Sequence, residues 1–292
     1  MSISRSAWVE TAGLFLALAF AAQAQVSVEL LIDQEQFLRD ESLPVKVRIV
    51  NRSGQTLHFG PLAEWLSFNV EMRDGKLVQK AGELSGGEQF TLESSMIATR
   101  LVDLSGPFKF DLPGRYKISA VVKVNDWKEE FASKSKQLEI VRGTKIWEQE
   151  FGVPADGGAP EVRKYVLQQA QYQKRLMLYL RVADAGERYS IRCLPVGPLV
   201  SFSRPEAQVD RVNNLHLLFQ TGARSFRYAV YSPSADLLVR QYHEYGSSRP
   251  VLRMNDVGNI FVNGGVRRIL TDDLPPPAVA STSTNEVSVP KP

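Results

Sequence analysis

Arg204-Pro205-Glu206-Ala207-Gln208-Val209-Asp210-Arg211-Val212-Asn213-Asn214-Leu215-His216-Leu217 is followed, 45 residues later, by Arg249-Pro250-Val251-Leu252-Arg253-Met254-Asn255-Asp256-Val257-Gly258-Asn259-Ile260-Phe261-Val262. Arg, Pro, Val and Asn recur at matching places, Leu215 is answered by Ile260, Leu217 by Val262, and Asp210 by its near-isostere Asn255. Short alternating stretches on both sides of a polar turn make each copy part of a duplicated β-meander. Along Leu215-His216-Leu217-Leu218-Phe219 the alternation places Leu215, Leu217 and Phe219 on one face. Ile260 and Val262 take the corresponding face of the later copy. His216 and Phe261 fall on the opposite face, where truncation is expected to be better tolerated.

The strands around this pair extend the same pattern. Tyr165-Val166-Leu167, Leu176 to Val182, Tyr189 to Arg192, Phe226 to Tyr231 and Leu237 to Arg240 all read as strands, and Pro160-Glu161, one period before Pro205-Glu206, suggests a degenerate third copy. Residues 161–270 therefore form a repeat-containing β-domain. A period near 45 resembles the blade of a β-propeller, but closure needs four or more blades and the 127 residues from Thr144 to Leu270 are too few. The expectation is a meander packed into a sandwich, with a partial propeller as the alternative. Residues 271–292, opening with Pro275-Pro276-Pro277 and rich in Ser and Thr, read as a disordered tail.

The N-terminal half is also all-β. Val45-Lys46-Val47-Arg48-Ile49-Val50 alternates strictly, Leu66, Phe68, Val70 and Met72 share a face, and Asp74-Gly75 marks a hairpin turn. Helical spacing is absent, and about seven short strands within residues 25–143 suit a β-sandwich. Asp111-Leu112-Pro113-Gly114-Arg115-Tyr116 places a turn just before a strand-initiating Tyr and so resembles the tyrosine corner of immunoglobulin-like and fibronectin-like domains. The stretch Glu41 to Asn51 is similar to a strand of extracytoplasmic macroglobulin-type sandwiches. There is no cysteine pair, so the resemblance implies a fold and no activity. Between the halves, residues 144–160, with Gly152-Val153-Pro154-Ala155-Asp156-Gly157-Gly158, read as a linker or long loop.

Residues 1–24 read as a signal peptide: Arg5, an apolar run from Ala12 to Ala22 too short to span a bilayer, and Ala22-Gln23-Ala24 before Gln25. The mature protein is then exported, periplasmic or extracellular, with no membrane span. Cys193 is the single cysteine, so no intrachain disulfide forms, and its apolar neighbours Ile191 and Leu194 suit a buried side chain. His58, His216 and His243 stand singly, without the short paired spacing of a zinc site. No Gly-x-Ser-x-Gly elbow occurs, and Gly86-Gly87 and Gly264-Gly265 lack the Lys and Ser or Thr of a phosphate loop. No cofactor is implied.

Charge divides unevenly. Gln25 to Gly143 carries 16 basic and 17 acidic residues; Thr144 to Pro292 carries 18 basic, 14 of them Arg, and 14 acidic. Arg181, Arg188, Arg192, Arg204, Arg224, Arg227, Arg240, Arg249, Arg253, Arg267 and Arg268 either form solvated faces paired with Asp184, Glu187, Asp210, Asp236 and Asp256, or gather a surface for carboxylates or phosphates. Arg204, Arg249 and Arg253, within or beside the repeated segments, are the candidate anion-binding residues. A net of +4 is small for an electrostatic nucleic-acid binder. The sequence thus favours an exported non-enzymatic binding, adaptor or envelope-structural module whose partner is another extracytoplasmic protein or an envelope polymer. The alternative is a polymer-directed hydrolase or lyase using carboxylates such as Glu206, Asp210 or Glu244.

Overall fold

The computed structural model describes residues 25–84, 87–154 and 160–275, so residues 1–24, with the expected signal peptide, and 276–292 lie outside the described residues. The chain divides into two compact units between Arg142 and Gly143.

The first unit contains β1 (Val26–Leu31), β2 (Gln36–Leu38), β3 (Pro44–Asn51), β4 (Leu57–Phe59), a single helical turn α1 (Leu62–Trp65), β5 (Leu66–Met72), β6 (Phe90–Leu92), β7 (Ile97–Asp103), β8 (Gly114–Val124), β9 (Glu129–Ala132) and β10 (Lys136–Val141). One sheet runs β1-β3-β7, another β2-β10-β8-β5 with β9 on β8 and β2 parallel to β10, and β4-β6 is a separate two-stranded ladder. Period-two alternation builds the core: Val45, Val47 and Ile49 are fully buried on one side of β3, and Tyr116, Ile118, Ala120, Val122 and Val124 on one side of β8. Trp65 is buried against the rings of Phe59 and Phe90. The Tyr116 hydroxyl donates to the Leu112 carbonyl at 2.6 Å, tying the turn to the strand that leaves it.

The second unit begins with β11 (Thr144–Val153), β12 (Glu161–Tyr172), β13 (Arg175–Asp184) and β14 (Ser190–Pro198), a sheet in that order. It continues with β15 (Glu206–Val209), β16 (Leu215–Gln220), β17 (Ser225–Tyr231) and β18 (Leu237–Glu244), then β19 (Val251–Met254), β20 (Ile260–Asn263) and β21 (Val266–Arg268). The second sheet is β15-β16-β17-β18-β21, and β19-β20 is a separate hairpin. One apolar cluster joins Tyr165, Leu167, Leu178, Leu180 and Val182 of the first sheet to Leu215, Leu217, Phe219, Ala229 and Tyr231 of the second. A second cluster joins Leu218, Phe226, Tyr228, Val230 and Val239 on the far face of that second sheet to Leu252 and Ile260 of the hairpin. The unit is a sandwich with a hairpin stacked on its outer face.

The repeat is real in three dimensions. Glu206 pairs with Leu218 and Val209 with Leu215; Val251 pairs with Asn263 and Met254 with Ile260, which is the same register shifted by one period. The turns match bond for bond. Asp210 N–H donates to Asn214 O and Asn213 N–H to Asp210 O, as Asn255 N–H does to Asn259 O and Gly258 N–H to Asn255 O. Asn213 and Gly258 both sit at positive φ, where Gly and Asn are tolerated best. In each copy the equivalent residues, Leu215 and Ile260, face the layer before.

Three expectations change. Residues 144–153 are not a connector: they form β11, paired along its length with β12, because Trp147, Phe151 and Val153 contribute to the core. The third copy read from Pro160-Glu161 opens β12, a 12-residue strand whose hairpin with β13 turns tightly at Gln173 and Lys174, so it shares neither the register nor the longer polar turn of the two copies. The tail does not begin at Thr271, since Arg240 and Leu274 exchange two backbone hydrogen bonds of 2.9 Å and Asp273 meets Arg267 at 2.6 Å.

Candidate functional site

A cavity of about 280 Å³ opens between the two sheets of the second unit, lined by Arg192, Leu194, Pro195 and Val196 of β14, Arg227, Ala229 and Tyr231 of β17, Ala235, and Leu237 and Arg240 of β18. Alternation puts these residues there. Arg192 and Leu194 are two apart along β14, which bulges at Val196 beyond them, and Arg227, Ala229 and Tyr231 are two apart along β17, so an arginine ends each apolar row that faces the opposing sheet. Arg240 pairs with Ala229 and Tyr242 with Arg227, which keeps both on that face. Ala229 and Ala235 fill too little of the space for the layers to close over it.

Arg227 crosses the gap. Its Nη1 donates to the Val196 carbonyl at 2.9 Å, its guanidinium lies over the rings of Tyr242 (5.2 Å) and Phe219 (5.9 Å), and its Nε is buried without a hydrogen-bond partner among the described residues. Gly197 makes the crossing possible, because a Cβ there would stand 2.7 Å from Arg227 Nη1. Arg192 donates to Asp236 at 2.6 Å and Arg240 to the Asp272 carbonyl at 2.7 Å, with the Asp272 carboxylate at 3.6 Å. Three guanidinium groups thus share two carboxylates, leaving a net positive charge beside apolar walls. Burial pushes the Tyr231 phenol up to about 12, with Arg227 and Arg240 pulling the other way. At neutral pH it is a neutral hydroxyl.

The remaining arginines divide. Arg188 and Arg268 sit within 4.0 Å of Asp184 and Glu244 in exposed pairs, the arrangement expected of a solvated face, whereas Arg181 and Arg267 meet Glu187 and Asp273 in largely buried ones. Arg204 and Arg253 are exposed, and Arg249 lies over Phe226 and reaches the Ser203 hydroxyl at 3.4 Å, so none of the three lines the cavity. The signal that identifies Arg192 and Arg227 was present in the sequence, as the parity of each Arg with the apolar residues two and four places on.

The carboxylates of the hydrolytic alternative hold the fold together. Glu206 accepts the Leu252 N–H at 2.8 Å, joining the two copies, and Glu244 pairs with Arg268 at 2.8 Å. Asp210 accepts from the N–H groups of Val212 and Asn214, from the Asn214 side chain and from His216 Nε2 at 3.2 Å. Burial alone would raise its carboxyl, but the bonds from Asn214, His216 and Val212 together hold it below the usual range. His216 is buried, not on a tolerant surface: its other nitrogen meets the Tyr228 hydroxyl at 2.7 Å. The hairpin of the second copy covers this face. Cys193 is buried, and among the described residues no cluster of three or more His, Cys, Asp or Glu could hold a metal ion.

Both buried histidines make stability depend on pH. Burial holds His216 below its ordinary value, opposed by Asp210; burial and Arg267 do the same for His243, opposed by Asp273. The unfolded chain therefore takes up these protons first as pH falls below about 6.5. Stability from this source is complete above that pH and is lost towards the lower folded values. Amide protection in β16–β18 should accordingly be weaker at about pH 5.5 than at about pH 7.5; equal protection would contradict the burial of the two neutral rings.

No family model matches the chain, and no curated protein matches it. The sporulation control protein Spo0M from Bacillus subtilis is a solved structure aligned over 54% of this chain and 79% of its own, with 8% identity and a TM-score of 0.27, too loose a superposition to bear on fold or function. Among the described residues no helix is long and apolar enough to cross a membrane.

Proposed function

We propose that this chain is an exported, non-catalytic binding module in which an immunoglobulin-like sandwich carries a second β-unit that recognises an acidic group on another extracytoplasmic protein or envelope polymer. The observation that supports this most is Arg227: a guanidinium brought into a cavity between sheets that forms no salt bridge among the described residues, sharing only the longer-range field of Asp272, and whose buried Nε has no acceptor there. Leaving such a donor unpaired costs free energy that an incoming carboxylate recovers. The Tyr116 to Leu112 bond and the parallel β2–β10 pair support the immunoglobulin-like description.

Fluorescence anisotropy of labelled poly-L-glutamate tests the binding role. Arg227→Gln should weaken binding about tenfold or more, as expected when a charge-assisted bond of about 1.5–3 kcal/mol is removed. Unchanged affinity would refute the role of the cavity. Export is tested separately: the intact mass of secreted protein should correspond to a start at Gln25, and a retained Met1 would refute it.

A further inference from the structure

The acidic segment that follows β21 is already bound where the second unit offers its positive charge. Asp272 places its carboxylate 2.5 Å from the Tyr242 hydroxyl and 3.6 Å from Arg240, one of the cavity arginines. Asp273, the next residue, turns to the other side of β18 and meets Arg267 at 2.6 Å. Leu274 then pairs with the backbone of Arg240 as an isolated antiparallel bridge, adding a single rung to a sheet edge that β21 covers only at Tyr242 to Glu244. Together these contacts describe how an extended Asp-Asp-aliphatic peptide is held: backbone pairing supplies affinity, and alternate side chains find a cation on each face.

The fit is incomplete. Asp273 Oδ1 and His243 Nε2 are both buried without a hydrogen-bond partner among the described residues, although His243 is the register partner of Arg267. A segment that leaves two polar atoms unsatisfied and contributes one ladder rung is bound weakly. Resting on the binding role given above, we propose that Asp272 to Leu274 is a tethered stand-in for an extended acidic peptide of a partner protein, occupying the edge of β18 and the guanidinium of Arg240 until that peptide displaces it. The partner segment is two acidic residues followed by an aliphatic one.

The test uses the full chain and a labelled Thr-Asp-Asp-Leu-Pro peptide as the probe. If the resident segment holds the site in about nine of ten molecules, releasing it raises apparent affinity about tenfold. Asp272→Asn combined with Asp273→Asn should show that gain, and Arg240→Gln added to the pair should abolish binding. Leu274→Pro, which removes the N–H that bonds the Arg240 carbonyl and leaves the residues of the site itself unaltered, should give a smaller gain in the same direction and serves if the double variant fails to fold. Equal affinity for the unaltered chain and these variants would overturn the stand-in while leaving the cavity as a binding site. Failure of both this peptide and poly-L-glutamate to bind any variant would overturn both.

Discussion

Leu217→Ala is expected to destabilise the second unit by about 3–4 kcal/mol, the usual range for emptying a fully enclosed leucine site. Leu217 is completely buried where the two sheets meet, among Leu215, Phe219 and the Leu178, Leu180 and Val182 row, and rigid strands on both sides leave little freedom to collapse into the space. Val262 is its partner in the repeat and also faces the preceding layer, but the hairpin that bears it is two strands wide and leaves it half-exposed, so Val262→Ala should cost about 1 kcal/mol. The equal cost implied by sequence equivalence is thus replaced by a graded one. Amide exchange of β16 and β17 in the full chain measures it, since the two units need not unfold together. A smaller loss for Leu217→Ala than for Val262→Ala would contradict the layered arrangement.

Asp210→Ala should cost about 2–3 kcal/mol. It removes four acceptor contacts at once and strands the Asn214 N–H and the ring of His216 in partly buried positions, while the exposed Val212 N–H turns to water. The corresponding Asn255 accepts only the Asn259 N–H through its side chain, in an exposed turn, and Asn255→Ala should cost about 1 kcal/mol or less. Asp210→Asn keeps the oxygen that caps the turn but puts an amide donor where the other oxygen accepts from the Asn214 side chain and His216, so it should lie between the two. Thermal melting of the three variants decides the order; an Asp210→Ala protein as stable as Asp210→Asn would show that the turn bonds contribute little.

The fold was legible where alternation and turn chemistry act alone. Val45, Val47 and Ile49 are buried as their spacing demands, and the two copies share register and turn because Asp210 and Asn255 offer the same side-chain oxygen and Asn213 and Gly258 the same tolerance of positive φ. Legibility failed where a neighbour settles the matter. Thr144 to Val153 is mostly exposed and ends beside a Gly-rich stretch, so nothing local distinguishes an edge strand from a linker; its partner β12 does that. His216 reads as outward-facing until a second layer covers the outward face. The arginines were the hardest case. Arg204, Arg249 and Arg253 stand out by repeating, whereas Arg192 joins Arg227 and Arg240 only because β14 packs across from the β17–β18 hairpin, and Gly197 reveals its purpose only once Arg227 lies against it.

The most direct measurement follows the arginine Nε–Hε resonances of the full chain while poly-L-glutamate is added. Arg227, whose Nε has no partner among the described residues, should shift first and furthest, with Arg240 and Arg192 following, while the paired Arg188 and Arg268 stay in place. Saturating shifts at Arg204, Arg249 and Arg253 with Arg227 unmoved would contradict the cavity between the sheets and return the binding surface to the exposed arginines of the repeat.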